Sequence, residues 1–276
     1  MQIEDISTLL RRDSSGIYAS SGAREVSYAS HGHAECFGVE DRSFWFVHRN
    51  NCISSVVKHH PPEHGPILDI GGGNGYVAQR LVSDGWEVVL LEPGMDGARN
   101  ARLHRNLQHV VRATVEDAGF LPGIFGAIGM FDVIEHIEDD TSFLERISPL
   151  LRPNGRLYLT VPCHQWLWSQ ADVDAGHFRR HTASSLKQLL DPLFSIDYLS
   201  FFFRPLVLPQ YLLRALPYRL HLGRERAALS TESEHGSNGG LAVDVVNRLL
   251  RNEASRIAAG ERIGFGASCL VAATKR

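Results

Sequence analysis

The stretch "ILDIGGGNGYVAQRL" (residues 67–81) sets four glycines between a short apolar run and an amphipathic segment. A short apolar run bounded by glycine reads as a buried strand, and the spacing after the glycines is helical. Glycine lets a backbone turn sharply and approach a bound molecule closely, because no Cβ stands in the way. The stretch therefore predicts a strand, a ligand-contacting turn and a helix, which is the opening unit of a parallel α/β sheet.

The alternation continues outward. "WEVVLLE" (86–92), "HVVRATV" (109–115), "FGAIGMFD" (125–132) and "RLYLTVP" (156–162) read as strands. Helices are expected over 75–83, 93–104 and 183–190, and over "DDTSFLERISPLL" (139–151), where Ser142 and Glu145 have capping-box spacing. "RPNG" (152–155) reads as a turn. "SIDYLSFFF" (195–203) and "SCLVAATKR" (268–276) supply two further strands, and "RSFWFVHRNNCISSVVKHH" (42–60) suits a helix that the following prolines break. Short apolar strands separated by helices imply an α/β sheet covered on both faces. The chain reads as a single domain over 1–276. An N-terminal arm and lid helix occupy 1–63, a core spans 64–203 plus 261–276, and a helical insertion covers 204–260. The first forty residues show little periodicity and read as a loosely structured arm, while "STESEHGSNGG" (230–240) reads as a linker.

With 276 residues, 43% of them hydrophobic, the chain is long enough to bury one large core. A net charge of −3 gives no overall electrostatic footprint for nucleic acid. No apolar run approaches the roughly 18 residues of a membrane span, and the opening "MQIEDISTLLRRD" lacks the basic and apolar regions of a secretory signal. Cys36, Cys52, Cys163 and Cys269 are scattered without a C-x-x-C pair, so reduced thiols and a cytoplasmic location are expected. "FFFRPLVLPQYLLRALPYRL" (201–220) mixes bulky apolar residues with Arg204, Arg214 and Arg219. It suits a substrate-pocket cover or a homodimer surface, and admits peripheral contact with a membrane.

Gly73, Gly75 and Ala78 satisfy the G-x-G-x-x-A spacing of a dinucleotide turn, so the glycines alone leave NAD open. The neighbouring charge points elsewhere. Asp69 ends the strand two residues before the first glycine, where a carboxylate would repel a pyrophosphate and favour a ligand carrying an ammonium and a sulfonium. S-adenosylmethionine (SAM) carries both. Glu92, ending the next strand, stands where an acid accepts ribose hydroxyls from either ligand.

As a set, "ILDIGGGNGYVA", "VVLLEP", "FDVIEHIEDD", "LLRPNGRLYLTVP" and "GHFRRHT" resemble the class I SAM-dependent methyltransferases, in particular the ubiquinone-type O-methyltransferases of the small-molecule branch. The resemblance covers residues 42–203 and the last strand. It implies a Rossmann-like, seven-stranded sheet whose last strand is antiparallel. SAM would lie across the carboxyl ends of the first strands, and a methyl group would pass to a small-molecule acceptor at oxygen. Carried over by position, Asp69, Gly71, Gly73 and Gly75 would hold the methionine end and Glu92 the ribose, with Glu116 and Asp117 near the adenine and Asp132 also at the cofactor. Phe44, Trp45, Phe46, His48 and Arg49 would cover the pocket. One departure is Gly126, which stands where family members often carry an acid.

Methyl transfer is an in-line displacement, and an oxygen acceptor must lose its proton to a base, a metal or both. Asp132, Glu135 and His136 stand at i, i+3 and i+4, which a helical turn would bring together as ligands for Mg²⁺ or another divalent ion. A similar pattern binds metal in some ubiquinone-type O-methyltransferases and in RNA-end 2′-O-methyltransferases, where a later His completes it; His177 or His181 would do so here. That leaves an RNA-end methyltransferase as the alternative, although no basic, aromatic stretch supports nucleic acid, and an NAD-dependent oxidoreductase as a weaker one. The loop 163–182 is too polar and too aromatic for a connector. Within it His177 is the leading base, with His136 as a second catalytic candidate. Arg179 and Arg180 suit either an acidic group on the acceptor or pairing with Asp172 and Asp174 that pins the loop, and Trp166 and Trp168 suit the acceptor's apolar part or the core.

Overall fold

Strand β3 (Ile67–Ile70) is buried along its whole length and pairs in parallel with a strand on each side. The structure, a computed structural model, describes residues 2–20, 37–222 and 241–276. The other strands are β1 (Leu10–Arg12), β2 (Tyr18–Ser20), β4 (Val88–Leu91), β5 (Val110–Arg112), β6 (Phe125–Phe131), β7 (Leu151–Pro162), β8 (Phe194–Phe202) and β9 (Ser268–Lys275). They form one sheet in the order β1-β2-β5-β4-β3-β6-β7-β9-β8. From β5 to β8 this is the expected seven-stranded sheet, with β9 antiparallel to both of its neighbours.

Period-two alternation splits each strand between two apolar layers. Ile67, Leu90 and Tyr158 face the layer built by α1 (Phe44–His59), α2 (Tyr76–Ser83), α3 (Met95–Arg99) and α8 (Leu241–Ala258). Leu68, Leu91 and Leu159 face the layer that includes α4 (Val115–Ala118), α5 (Asp140–Ile147) and α7 (Ala183–Leu190). The loop after β7 carries a short α6 (Gln170–Asp174). No helix among the described residues is long and apolar enough to cross a membrane.

Several local features depart from the sequence reading. The sheet has nine strands, because part of the supposed arm folds as the β1–β2 hairpin and β2 adds to the edge at β5. Asp13 holds the hairpin turn by accepting from the backbone N–H groups of Ser15 and Ile17. Strands of three residues are too short for alternation to show. Residues 21–36, including Cys36, and the linker-like 230–240 lie outside the described residues. Helix α5 is capped by Asp139, which accepts from Ser142 N–H, so Ser142 is the residue capped and not the cap. "RPNG" does not end a strand. β7 begins at Leu151, and these residues bulge out while pairing with β6 jumps from Phe125↔Leu151 to Ala127↔Arg156.

Gly126 has a physical explanation. A Cβ at this position would stand 1.9 Å from the carbonyl oxygen of His64, in the segment that leads into β3. The close backbone approach excludes any side chain, an acid included. We expect Gly126→Ala to cost about 2–3 kcal/mol or more, read as a lower urea midpoint at unchanged slope. Gly264→Ala, whose Cβ would meet nothing within 4 Å, serves as the control and should be near neutral.

Candidate functional site

The turn after β3 runs through backbone conformations that favour glycine. Gly71, Gly73 and Gly75 all have positive φ (66°, 53° and 81°), a region costly for other residues. Glu92, at the end of β4, ties the turn to the next strand. Its Oε2 accepts from Gly73 N–H at 2.9 Å and its Oε1 from Gly94 N–H at 2.6 Å. Gly72 is required for a separate reason: a Cβ there would lie 2.8 Å from Asp69 Oδ2 and equally close to Leu90.

Asp69 is buried beneath this turn, and its Oδ2 has no hydrogen-bond partner. Burial raises its carboxyl to about 7, against the pull of Arg49, with the Glu92 charge adding to the rise. Arg49 reaches in from α1. Its Nη2 donates to the Phe131 carbonyl at 2.6 Å and its Nε lies 2.5 Å from Asp132 Oδ2. Asp132, at the end of β6, adopts a left-handed φ of 58°. Further along the edge, Thr114 caps α4. There Glu116 pairs with Arg146, while Asp117 Oδ2 is buried without a partner.

The three residues expected on one helical turn separate. Only Ile134–His136 form a tight turn, and Asp132 stands before it with its carboxylate held by Arg49. Glu135 and His136 instead meet His177, with one ligand atom from each lying within 4.8 Å of the others. The His136 and His177 rings pack edge-on at 4.7 Å. His181 is not in this cluster; it is buried, with its Nε2 unpartnered. Glu135 is fully buried with neither carboxylate oxygen hydrogen-bonded, so burial and the Asp132 charge push it well above the usual carboxylate range. Burial and the adjacent His177 lower His136 to about 4, so it is neutral at physiological pH.

Asp172, from the loop after β7, is the partner that sequence reasoning did not assign to His177. Its Oδ1 lies 3.0 Å from His177 Nδ1. Burial would raise this carboxyl, but its hydrogen bonds with His177 and Arg180 hold it at about 2. Arg180 grips both oxygens of Asp172, at 2.7 and 3.0 Å, and Arg179 pairs with Asp140. Both arginines thus pin the loop. Trp166 lines an open groove, with Tyr211 and Phe265 beside it, whereas Trp168 is half-buried outside that lining. Sequence spacing gave no sign of Arg49 closing onto Asp132 or of Glu253 accepting from His48, since those pairs join residues 83 and 205 positions apart.

A family model described as "Methyltransferase domain" matches residues 42–192. The chain is 29% identical over 117 residues to a ubiquinone biosynthesis O-methyltransferase of Pectobacterium carotovorum, covering 40% of this chain and 49% of that one. A protein of the same description from Aeromonas salmonicida is 30% identical over 100 residues, covering 34% and 42%. The chain spans about half the length of the curated relatives it matches. Among solved structures, a SAM-dependent methyltransferase from Thermotoga maritima superposes with a TM-score of 0.53 at 15% identity, covering 89% of this chain and 96% of that one. One from Archaeoglobus fulgidus gives 0.51 at 14% identity, covering 82% and 94%. At such identity these two establish the fold.

Asp69 leaves a measurable mark on stability. Its folded-state carboxyl titrates near 7 and its unfolded one near 3.8, so the unfolded state releases the proton first as pH rises. Wild-type stability should therefore fall between about pH 4 and pH 7, by roughly 4 kcal/mol at most. Asp69→Asn should lack that slope and gain stability over wild type across the same window, levelling off above it. Denaturant unfolding at several pH values checks this; parallel pH profiles for the two proteins would show that Asp69 is not a destabilising charge.

Proposed function

Because this chain belongs to the methyltransferase-domain family, we propose that it transfers the methyl group of SAM to an oxygen of a small-molecule acceptor. The observation that carries this reading is Asp69, a buried carboxylate with an unpartnered oxygen, set under a turn in which Gly72 leaves no room for a side chain. That arrangement suits an ammonium and disfavours the pyrophosphate of a dinucleotide.

The rest of the edge fits the same molecule. Asp69 would take the amino group against the Gly71–Gly73 backbone. Glu92, held by the Gly73 and Gly94 N–H groups at the end of β4, would face the ribose. Of the two acids after β5, Asp117 is the one with a free buried oxygen to accept from the adenine amino group, Glu116 being paired with Arg146.

SAM supplies a methyl carbon activated by a sulfonium leaving group. The acceptor oxygen forms the new C–O bond as the C–S bond breaks, and its proton must go to the protein. His177 would take it. Asp172 at Nδ1 fixes the tautomer and stabilises the imidazolium, leaving the other ring nitrogen as the proton acceptor. Oxygen as the acceptor atom is supported by this dyad and by the description of the curated relatives.

Glu135, His136 and His177 also suit a divalent cation, and His177 would then be its ligand through the nitrogen that otherwise takes the proton. The two Glu135 oxygens have no hydrogen-bond partner, and His136 is neutral, so both would be drawn on by a cation that displaces the Glu135 proton. Asp172 behind His177 is the carboxylate–histidine support that metal-binding imidazoles use. A bound divalent ion would act as a Lewis acid on the acceptor oxygen.

Calorimetry should show saturable binding of SAM and S-adenosylhomocysteine and none of NAD; NAD binding without SAM binding would overturn the reading. Asp69→Asn should weaken S-adenosylhomocysteine at least about tenfold. With a turnover assay in hand, His177→Ala should lower kcat by about 10²–10⁴ with little change in SAM affinity. Mg²⁺ or Mn²⁺ should restore the activity of chelator-treated enzyme, and Glu135→Gln should remove that response.

A further inference from the structure

We infer that the open groove of ≈ 460 Å³ lined by Trp166, Arg204, Val207, Leu208, Tyr211 and Phe265 is a binding site for an acceptor with a flat apolar body and one anionic group. Its role as an acceptor site rests on the methyl-transfer reading; its capacity to bind such a ligand does not.

The position comes first. Trp166 follows β7 at its carboxyl end, Arg204 follows β8 at its carboxyl end, and Phe265 precedes antiparallel β9. The groove therefore opens at the same sheet edge as Asp69 and Asp132, on the strands beyond β6, away from the glycine turn. In open α/β sheets ligands bind at that edge. Trp166 also shares the loop 163–182 with His177, so a ligand seated against the tryptophan is held by the element that carries the proposed base.

The walls define the body of the ligand. Trp166 and Phe265 are nearly parallel, 9° apart with centroids 6.4 Å apart, and Tyr211 meets Trp166 edge-on at 5.6 Å. Val207 and Leu208 complete an apolar lining, and Leu208 is 63% exposed. Aromatic faces and aliphatic edges favour a planar apolar body, and the volume lies in the range of small-molecule sites.

The fold holds these walls at a cost in backbone energy. His164 has φ 67°, and its ring stacks on Phe201 at 5° while packing against both Trp166 and Phe265. Its Nε2 is buried without a partner. Phe203, just before Arg204, has φ 60°. Glu253 of α8 fixes that corner by accepting from the backbone N–H groups of Phe203 and Arg204. Left-handed backbone at two non-glycine residues around one groove is the kind of strain that persists where function requires it.

Arg204 defines the polar end. It is the one charged residue in the lining, it is exposed, and its guanidinium has no ion-pair partner among the described residues. Arg179 and Arg180, which sequence reasoning matched to an acidic acceptor, are committed to Asp140 and Asp172. A free guanidinium beside apolar walls recognises a carboxylate or phosphate through paired N–H donors.

Calorimetry on the full chain tests this with 2-naphthoate, 2-naphthyl phosphate and the uncharged 2-naphthylmethanol as probes. We expect either anion, the tighter one marking the headgroup preferred, to bind at least about tenfold more tightly than the alcohol. Arg204→Gln should remove that preference, and Phe265→Ala should weaken all three probes. Both variants should bind S-adenosylhomocysteine as wild type does, which also shows that they are folded. Equal affinity for anion and alcohol, or an Arg204→Gln protein that keeps the preference, overturns the anionic anchor. Probe binding unchanged in Phe265→Ala overturns the groove. Co-sedimentation with phosphatidylcholine vesicles that is lost in Leu208→Ser, with no probe binding, would make the surface a membrane contact instead. If the probes bind as expected but wild-type protein binds neither SAM nor S-adenosylhomocysteine, the site stands and the methyl-transfer reading falls.

Discussion

The grip of Arg49 on the end of β6 joins the helical layer to the chemistry. One guanidinium donates to the Phe131 carbonyl and pairs with Asp132, while stacking over Trp45 on its own helix. The same α1 buries Cys52, Ile53, Val56 and Val57 in the core. Docking the helix and setting the end of β6 are therefore one event. Buried ion pairs of this kind contribute little net stability, because desolvation offsets attraction. Their effect is geometric. The pair holds Asp132 in a left-handed conformation that an L-residue adopts only at a cost of about 1–2 kcal/mol, and so turns Glu135 and His136 toward His177.

A second polar network organises the loop after β7. Asp172 receives Ser169 N–H, Arg180 and His177, so one buried acid sets the loop's shape and the ring beside it. Where polar atoms are this thoroughly paired, the exceptions are informative. Asp69, Asp117 and Glu135 each keep a buried oxygen without a partner. Asp69 lies within β3, and Asp117 and Glu135 follow β5 and β6, so all three stand toward the carboxyl ends of parallel strands.

Much of this was readable from residue order alone, because it is local. The glycine turn, the strand that precedes it, Glu92 and the alternation of strands and helices all declare themselves within windows of about twenty residues. The antiparallel direction of β9 followed from likeness and not from pattern, and its place between β7 and β8 came only with the structure. What stayed hidden is long-range or very short. The three-residue strands β1 and β2 carry no visible period. Asp132 was misplaced because one left-handed residue breaks the helical spacing that would group it with Glu135. Gly126 looked like a lost acid until the His64 carbonyl was found beside it. Arg180 suited either an acidic group on the acceptor or a pairing with Asp172 that pins the loop, and spacing could not choose between them; the structure takes the second.

The place of β9 also bears on how the chain reaches this state during synthesis. β7 and β8 lie next to each other in chain order yet never pair, for β9 sits between them and hydrogen-bonds to both. Glu253, likewise late in the chain, braces His48 and the Phe203–Arg204 corner. A nascent chain that has emerged only as far as β8 would thus hold two long apolar strands with open edges and an unbraced corner beside them. Such edges pair readily with other chains. The half of the sheet from β3 to β6 has every strand it needs by then. The β7–β9–β8 half waits on the last strand to be made, and its edges stay open through that interval.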